Sequence, residues 1–255
     1  MSNMQFLYAP LGPNSKAVFT TNLGGVSLGS YAGKDDGGLN LGKHVGDDSE
    51  KVELNRRQVA DFFEVEFAFM DQTHTDIVQI CEDEYSLCNA DSIVVIHKNR
   101  MSERVLVPTV MVADCVPVLL SNRKGDISAA VHVGRQGMVN QILPKTLNKL
   151  FEMGIKSEEL YAAIGPSICG NCYEVDEKVY VDCVSVEPNS AWLTPQKTDA
   201  INVYNAVLDQ LSRNNIVNIE TVDVCTFEDD RFYSYRRSKV CGRQIGFVLP
   251  MNNEE

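Results

Sequence analysis

The sequence predicts an α/β protein with mixed sheets, built as a single domain over residues 1–255. Three observations point there. Helix-like and strand-like segments intermix along the chain without strict strand–helix–strand alternation. The 255-residue length suits one large domain. No repeat or low-complexity stretch divides it.

The elements follow in order. Gly24 to Gly46, "GGVSLGSYAGKDDGGLNLGKHVG", is expected to be a long loop, because ten of its 23 residues are Gly or Asp. A loop of that length inside a compact domain is usually functional. "DDSEKVELNRRQVADFF" reads as a helix capped by Asp48 or Ser49, with Val52, Val59, Phe62 and Phe63 near one face. "DSIVVIHKN" is a strand candidate. "TVMVADCVPVLL" and "DISAAVHVG" read as two neighbouring strands joined by the turn "SNRKGD". "QGMVNQILPKTLNKLFEMG" reads as one helix, with Pro144 inside or bending it and Gly154 at its end. "LYAAIGP" is a short strand, "VDEKVYVDCV" a helix, "DAINVYNAVLDQLSRNN" a helix and "NIETVDVCT" a strand. "RFYSYRRSKVCGRQIGFVLP" leads into a final strand.

Composition sets limits on function. Hydrophobic residues make up 44% and charged residues 23%, as in ordinary globular proteins. A net charge of −12 argues against non-specific nucleic-acid binding. No apolar run approaches the roughly 20 residues of a membrane helix. "MSNMQFLYAPLGPNSK" lacks a basic start followed by an apolar core, so a cytoplasmic location is expected. The eight scattered Cys read as thiols of a reducing compartment. "CGNC", Cys169 to Cys172, has the spacing of redox and zinc sites. It lacks a second such pair and a thioredoxin-like context, so a tight turn before a helix is the plainer reading. A local cluster, Arg231, Arg236, Arg237 and Arg243, can still oppose the global charge and bind an anion.

"MVADCVPVLL" places an acid and a thiol, Asp114 and Cys115, inside an apolar run. An unpaired buried carboxylate is costly, so either local hydrogen bonds satisfy the pair or the strand ends there and presents it to a site. His74 lies in "DQTHTDIV", where Gln72, His74 and Asp76 alternate as on a strand. His132 lies in "AAVHVGRQG". One thiolate and two imidazoles suit Zn²⁺ with an open fourth position. The same residues also fit a Cys115 nucleophile with His132 as base, or a small buried thiol beside a core histidine. His44, in "GKHVGDD", sits at a loop-to-helix junction, where it caps, packs or lines the pocket.

Seven stretches in order resemble one family: "TTNLGGVSLGSY", "LNLGKHVGDD", "DQTH", "ADCVPVLL", "VHVGRQG", "IGPSICGNCYEV" and "CTFEDDRFYSYRRSKVCGR". It is the laccase-domain family, also named multicopper polyphenol oxidase, peptidoglycan editing factor and purine nucleoside phosphorylase. The resemblance implies packed mixed sheets flanked by helices, and Zn²⁺ held by His74, Cys115 and His132, the same three being catalytic. It implies substrate binding by Asn40, Arg236, Arg237 and Arg243. The implied activity is phosphorolysis of adenosine, inosine or methylthioadenosine, with adenosine deamination alongside. The partners are then a small-molecule nucleoside and phosphate, with no nucleic acid or membrane. Other family names imply amide hydrolysis of a nucleotide-linked muramoyl precursor, or polyphenol oxidation. Four His are too few for a conventional multicopper cluster, so Cu²⁺ is disfavoured.

The chain departs from the family pattern in places. Asn22 stands where Arg is usual, and "HVGRQG" replaces His-Ala-Gly-Trp-Arg-Gly, so Arg135 and Gln136 fill the Trp and Arg positions. Asn202 lies near a usual Asp. "KDDG", Lys34 to Gly37, resembles an insertion. The altered Arg positions leave room for a diverged, non-catalytic metabolite-binding member.

Overall fold

A computed structural model describes residues 3–34, 37–82, 86–97 and 104–251. The chain runs β1 (Phe6–Pro10), β2 (Ser15–Thr20), β3 (Leu23–Ser27), α1 (Ser49–Phe63), β4 (Val65–Ala68), β5 (Val78–Cys81), β6 (Ser92–Ile96) and β7 (Val105–Val112). It continues with β8 (Val116–Asn122), β9 (Ile127–Val133), α2 (Arg135–Val139), α3 (Ile142–Glu152), β10 (Leu160–Ile164) and α4 (Glu177–Val186). It closes with β11 (Ala191–Leu193), β12 (Asp199–Ile201), α5 (Val203–Arg213), β13 (Asn218–Thr221) and β14 (Gln244–Pro250).

Two mixed sheets dominate. One has five strands in the order β1-β2-β14-β7-β4, the other six in the order β13-β10-β8-β9-β6-β5. Period-two alternation builds the layers. On β8, Val118 and Leu120 face a helical layer that includes Leu143 and Leu147 of α3 and Val207 and Leu211 of α5. Leu119 faces the opposite way, into the space between the sheets, with Phe19, Ile93, Val110 and Ala163. Both faces are therefore buried, which explains why these strands read as continuous apolar runs. On the far face of the five-stranded sheet, Val59 of α1 packs with Val18, Phe67 and Phe247. The α/β class with packed mixed sheets and flanking helices is the fold observed.

Several boundaries differ from the sequence expectation, each for a physical reason. "TVMVADCVPVLL" is not one strand: β7 and β8 belong to different sheets, and Ala113 to Cys115 is the crossing between them. β8 and β9 are antiparallel neighbours as expected. "QGMVNQILPKTLNKLFEMG" is two helices, broken at Gln141 with φ 64°. Pro144 lies harmlessly in the first turn of α3, where its missing N–H is not needed. "DAI" forms β12 before α5, whose N-cap Asn202 accepts from the Asn205 amide. The strand expected over "NIETVDVCT" stops at Thr221.

The expected loop from Gly24 to Gly46 contains most of β3. "DQTHTDIV" is loop rather than strand until β5 begins at Val78. Phe62 is 60% exposed, so the buried stripe of α1 is Val52, Asn55 and Val59 instead. Asp35 and Asp36 of the apparent insertion, and Lys98 and Asn99 at the end of "DSIVVIHKN", lie outside the described residues.

The two sheets meet closely at Phe19. A Cβ on Gly165 would lie 2.2 Å from its ring, and one on Gly246 would lie 2.9 Å from it. Glycine is required at both because the ring occupies the side-chain space. Gly165→Ala should lower stability by about 1–3 kcal/mol through overpacking. Urea unfolding of variant and wild type measures this, and unchanged stability would show that Phe19 can move aside.

Candidate metal centre and cleft

The crossing from β7 to β8 explains the acid and the thiol. Asp114 has φ 92°, a conformation disfavoured for a non-glycine residue. Three hydrogen bonds hold it. Its Oδ1 accepts from Thr226 Oγ1 at 2.7 Å, and its Oδ2 accepts from the Arg236 amide at 2.6 Å. Its carbonyl accepts from the Ile168 amide at 2.9 Å. The partners are distant in sequence rather than local. With Asp114 fixed, Cys115 stands at the mouth of β8, beside His132 on the paired strand β9.

His74 reaches the same place from the loop before β5, with φ 60°. Gln72 fixes that loop on β7: its Nε2 donates to the Met111 carbonyl and its Oε1 accepts from the Met111 amide, each at 2.8 Å. The ligating atoms of His74, Cys115 and His132 all lie within 4.8 Å of one another. The two imidazole centroids are 4.8 Å apart.

Asp91, which the sequence reading passed over, completes the arrangement. It is fully buried, and its Oδ1 accepts from His132 Nδ1 at 2.7 Å. Thr75 Oγ1 donates to the other carboxylate oxygen at 2.9 Å. This leaves His132 Nε2 available to a metal ion, in the carboxylate–histidine pattern found behind metal-binding imidazoles. Its only sequence signal is an acid at the start of the apolar run "DSIVVI".

Burial works against the His132 imidazolium. The Cys115 sulfur and the Asp91 carboxylate outweigh it and raise the group to about 9. A metal ion must displace that proton. Partial burial and the neighbouring His132 lower His74, which favours its neutral, ligating form. A Cβ on Gly134 would sit 2.8 Å from His74 Nδ1 and 3.0 Å from Cys115 Sγ. Only glycine leaves the space between these donors open. A thiolate, two imidazoles and this open cradle fit a Zn²⁺ ion with a free position.

The triad lies in a cleft of about 550 Å³, within the usual size range of small-ligand sites. Among its described lining residues are four cations, Arg135, Arg236, Lys239 and Arg243, against one acid, the fully engaged Asp114. Tyr173 and Tyr235 add aromatic walls, with Arg236 5.0 Å from the Tyr173 ring centre and Lys239 4.4 Å from that of Tyr235. Burial, with the nearby Cys115, pushes Tyr173 up to about 12, so it remains a neutral hydrogen-bond donor.

The expected binding residues separate. Arg236 and Arg243 line the cleft. Arg237 does not: its guanidinium donates to the carbonyls of Thr226, Phe227 and Phe232 and holds their loop together. Asn40 is fully buried, and its Oδ1 accepts from the Arg243 amide at 2.9 Å, so it positions Arg243 from behind. Arg231 pairs with Asp229 away from the cleft. His44 lines the cleft instead of only capping or packing. Arg135, at the start of α2, also faces it, together with Gln136. Asn22 is buried, with its side chain bonded to the Asp230 carbonyl.

The family model for multi-copper polyphenol oxidoreductase laccase matches residues 16–250. The chain belongs to this family. It is 36% identical to a purine nucleoside phosphorylase of Corynebacterium glutamicum over 91% of this chain and 93% of that one. It is 32% identical to the purine nucleoside phosphorylase YfiH of Shigella flexneri, over 94% and 95% of the two chains. A crystal structure of a Neisseria meningitidis protein superposes with a TM-score of 0.83 at 29% identity, covering 97% of this chain and 99% of the other.

Two substitutions test the candidate metal centre. Asp91→Asn should weaken Zn²⁺ binding at the cleft by about 10–100-fold, because the ring loses its charged partner. Gly134→Ala should abolish binding there with the far-ultraviolet spectrum unchanged. Competition with a chromophoric chelator reads both, and wild-type affinity in either variant would contradict the arrangement.

Proposed function

We propose that this chain is a Zn²⁺-dependent purine nucleoside enzyme whose main reaction is phosphorolysis of adenosine, inosine or methylthioadenosine, with adenosine deamination alongside. The observation that carries the reading is a cationic, aromatic-walled cleft containing a cluster of three metal-type donors, in a chain of net charge −12. The names of the relatives support the purine nucleoside phosphorylase part of it.

His74, Cys115 and His132 would hold a Zn²⁺ ion, which when bound would supply Lewis acidity. Arg135, Arg236 and Arg243 offer the charge-assisted donors that a phosphate dianion requires. Tyr173 and Tyr235 offer apolar faces to a purine or ribose ring. In phosphorolysis a phosphate oxygen bonds to ribose C1′ as the C1′–N9 bond breaks. The base leaves with that electron pair and takes up a proton, giving free base and ribose 1-phosphate. Orientation by the cations and rings brings these two reactants together. Asn22, at the family's usual Arg position, lies buried against the 230–231 segment rather than among the cleft's described lining residues. Arg135 instead presents a cation from the start of α2.

With adenosine or inosine, purified protein should release adenine or hypoxanthine only when phosphate is present. Cys115→Ala should abolish the release. Arg236→Ala should raise the KM for phosphate about 10–100-fold, the loss expected for one charged hydrogen bond. Zn²⁺ bound with no base released at any phosphate concentration would overturn phosphorolysis and favour amide hydrolysis or simple metabolite binding.

A further inference from the structure

A second group of metal-type donors lies outside the cleft. Cys169 precedes the short turn Gly170–Cys172 and Cys172 ends it, while Cys225 and Glu228 come from the loop after β13. The chain places them together through backbone pairing. Ser167 and Cys225 form a parallel bridge, with the Ser167 amide donating to the Val224 carbonyl and the Thr226 amide to the Ser167 carbonyl. The Cys169 amide donates to Cys225 Sγ at 3.4 Å, and Cys172 Sγ is 3.5 Å from Glu228 Oε1. The three sulfurs and the carboxylate oxygen all lie within 4.8 Å of one another.

We propose that Cys169, Cys172, Cys225 and Glu228 form a second, structural Zn²⁺ site. Zn–S bonds of about 2.3 Å give a tetrahedron with edges of about 3.8 Å. Donors that all lie within 4.8 Å of one another therefore need closure of at most about 1 Å. Three soft sulfurs and one carboxylate select a zinc-like ion over magnesium or calcium. A disulfide would use two of the thiols and leave the third and the carboxylate without a role. A neighbouring cleft of about 190 Å³, lined in part by Cys169 and Cys225, gives an ion access from solvent. Four protein ligands leave no open position, which makes the site structural rather than catalytic.

Its place in the fold gives it a purpose. Cys172 precedes Tyr173, a wall of the main cleft, and Cys225 precedes Thr226, which holds Asp114 beside Cys115. An ion here would pin the two loops that shape the far side of the cleft. This inference stands apart from the nucleoside reading, since its measurements are metal content and thiol protection rather than turnover.

Metal-stripped protein reloaded with Zn²⁺ and desalted should carry about two ions per chain, falling to about one in Cys115→Ala and about one in Cys225→Ser. One ion in the wild type, lost entirely in Cys115→Ala, would overturn the second site. Should Cys225→Ser not fold, mass-spectrometric mapping of alkylation on the wild type decides. Cys169, Cys172 and Cys225 should be protected with Zn²⁺ bound and become reactive after chelation. Equal labelling with and without the metal, or release of the thiols by reductant alone, would overturn the site.

Discussion

The Asp114 carboxylate, bonded to Thr226 and to the Arg236 amide, is the interaction on which the site depends. It sits where the chain leaves one sheet and enters the other. Hydrogen bonds to a charged group are worth about 1.5–3 kcal/mol each, enough to hold one residue in a disfavoured backbone conformation. The return is geometric. β7 can end in the five-stranded sheet, and Cys115 can lead into β8 of the six-stranded sheet, two residues ahead of Pro117, the partner of His132. The same carboxylate anchors the loop that carries Arg236, so the thiol and a cation of the cleft share one support.

Charge is organised locally rather than globally. The chain is strongly acidic, yet the cleft's described lining gathers four cations around a single engaged acid. The arginines are positioned by what lies behind them. Asn40 holds the backbone of Arg243, and Arg236 donates from its guanidinium to the Glu174 carbonyl. Arg237 is adjacent in sequence but closes its own loop by bonding carbonyls. One cationic segment therefore divides between lining the cleft and closing its own loop.

Much of this was legible in the sequence, and the rest was hidden for identifiable reasons. Strand and helix segments gave the fold class, because burial on both faces leaves an apolar run that is hard to miss. The family resemblance selected His74, Cys115 and His132 from among competing readings, and these residues converge. The crossing at Asp114 was not legible, since apolar periodicity cannot separate one long strand from two strands in different sheets. Asp91 was hidden because a single acid before a strand resembles a turn residue. Asn40 and Arg237 have side-chain chemistry suited to a ligand, but chemistry alone does not say which way a side chain points. Cys225 lies 56 residues from Cys169, and only folding places it beside the C-x-x-C turn.

The measurement that tests the account most directly is the Zn²⁺ affinity of the cleft in Asp114→Ala, by chelator competition, with circular dichroism as the check on folding. If the carboxylate places the thiol, affinity should fall about 10–100-fold, as for loss of a residue that orients a metal ligand, while the secondary structure persists. Wild-type affinity in a folded Asp114→Ala protein would contradict it, and would mean that the paired strands β8 and β9 position Cys115 without help from the crossing.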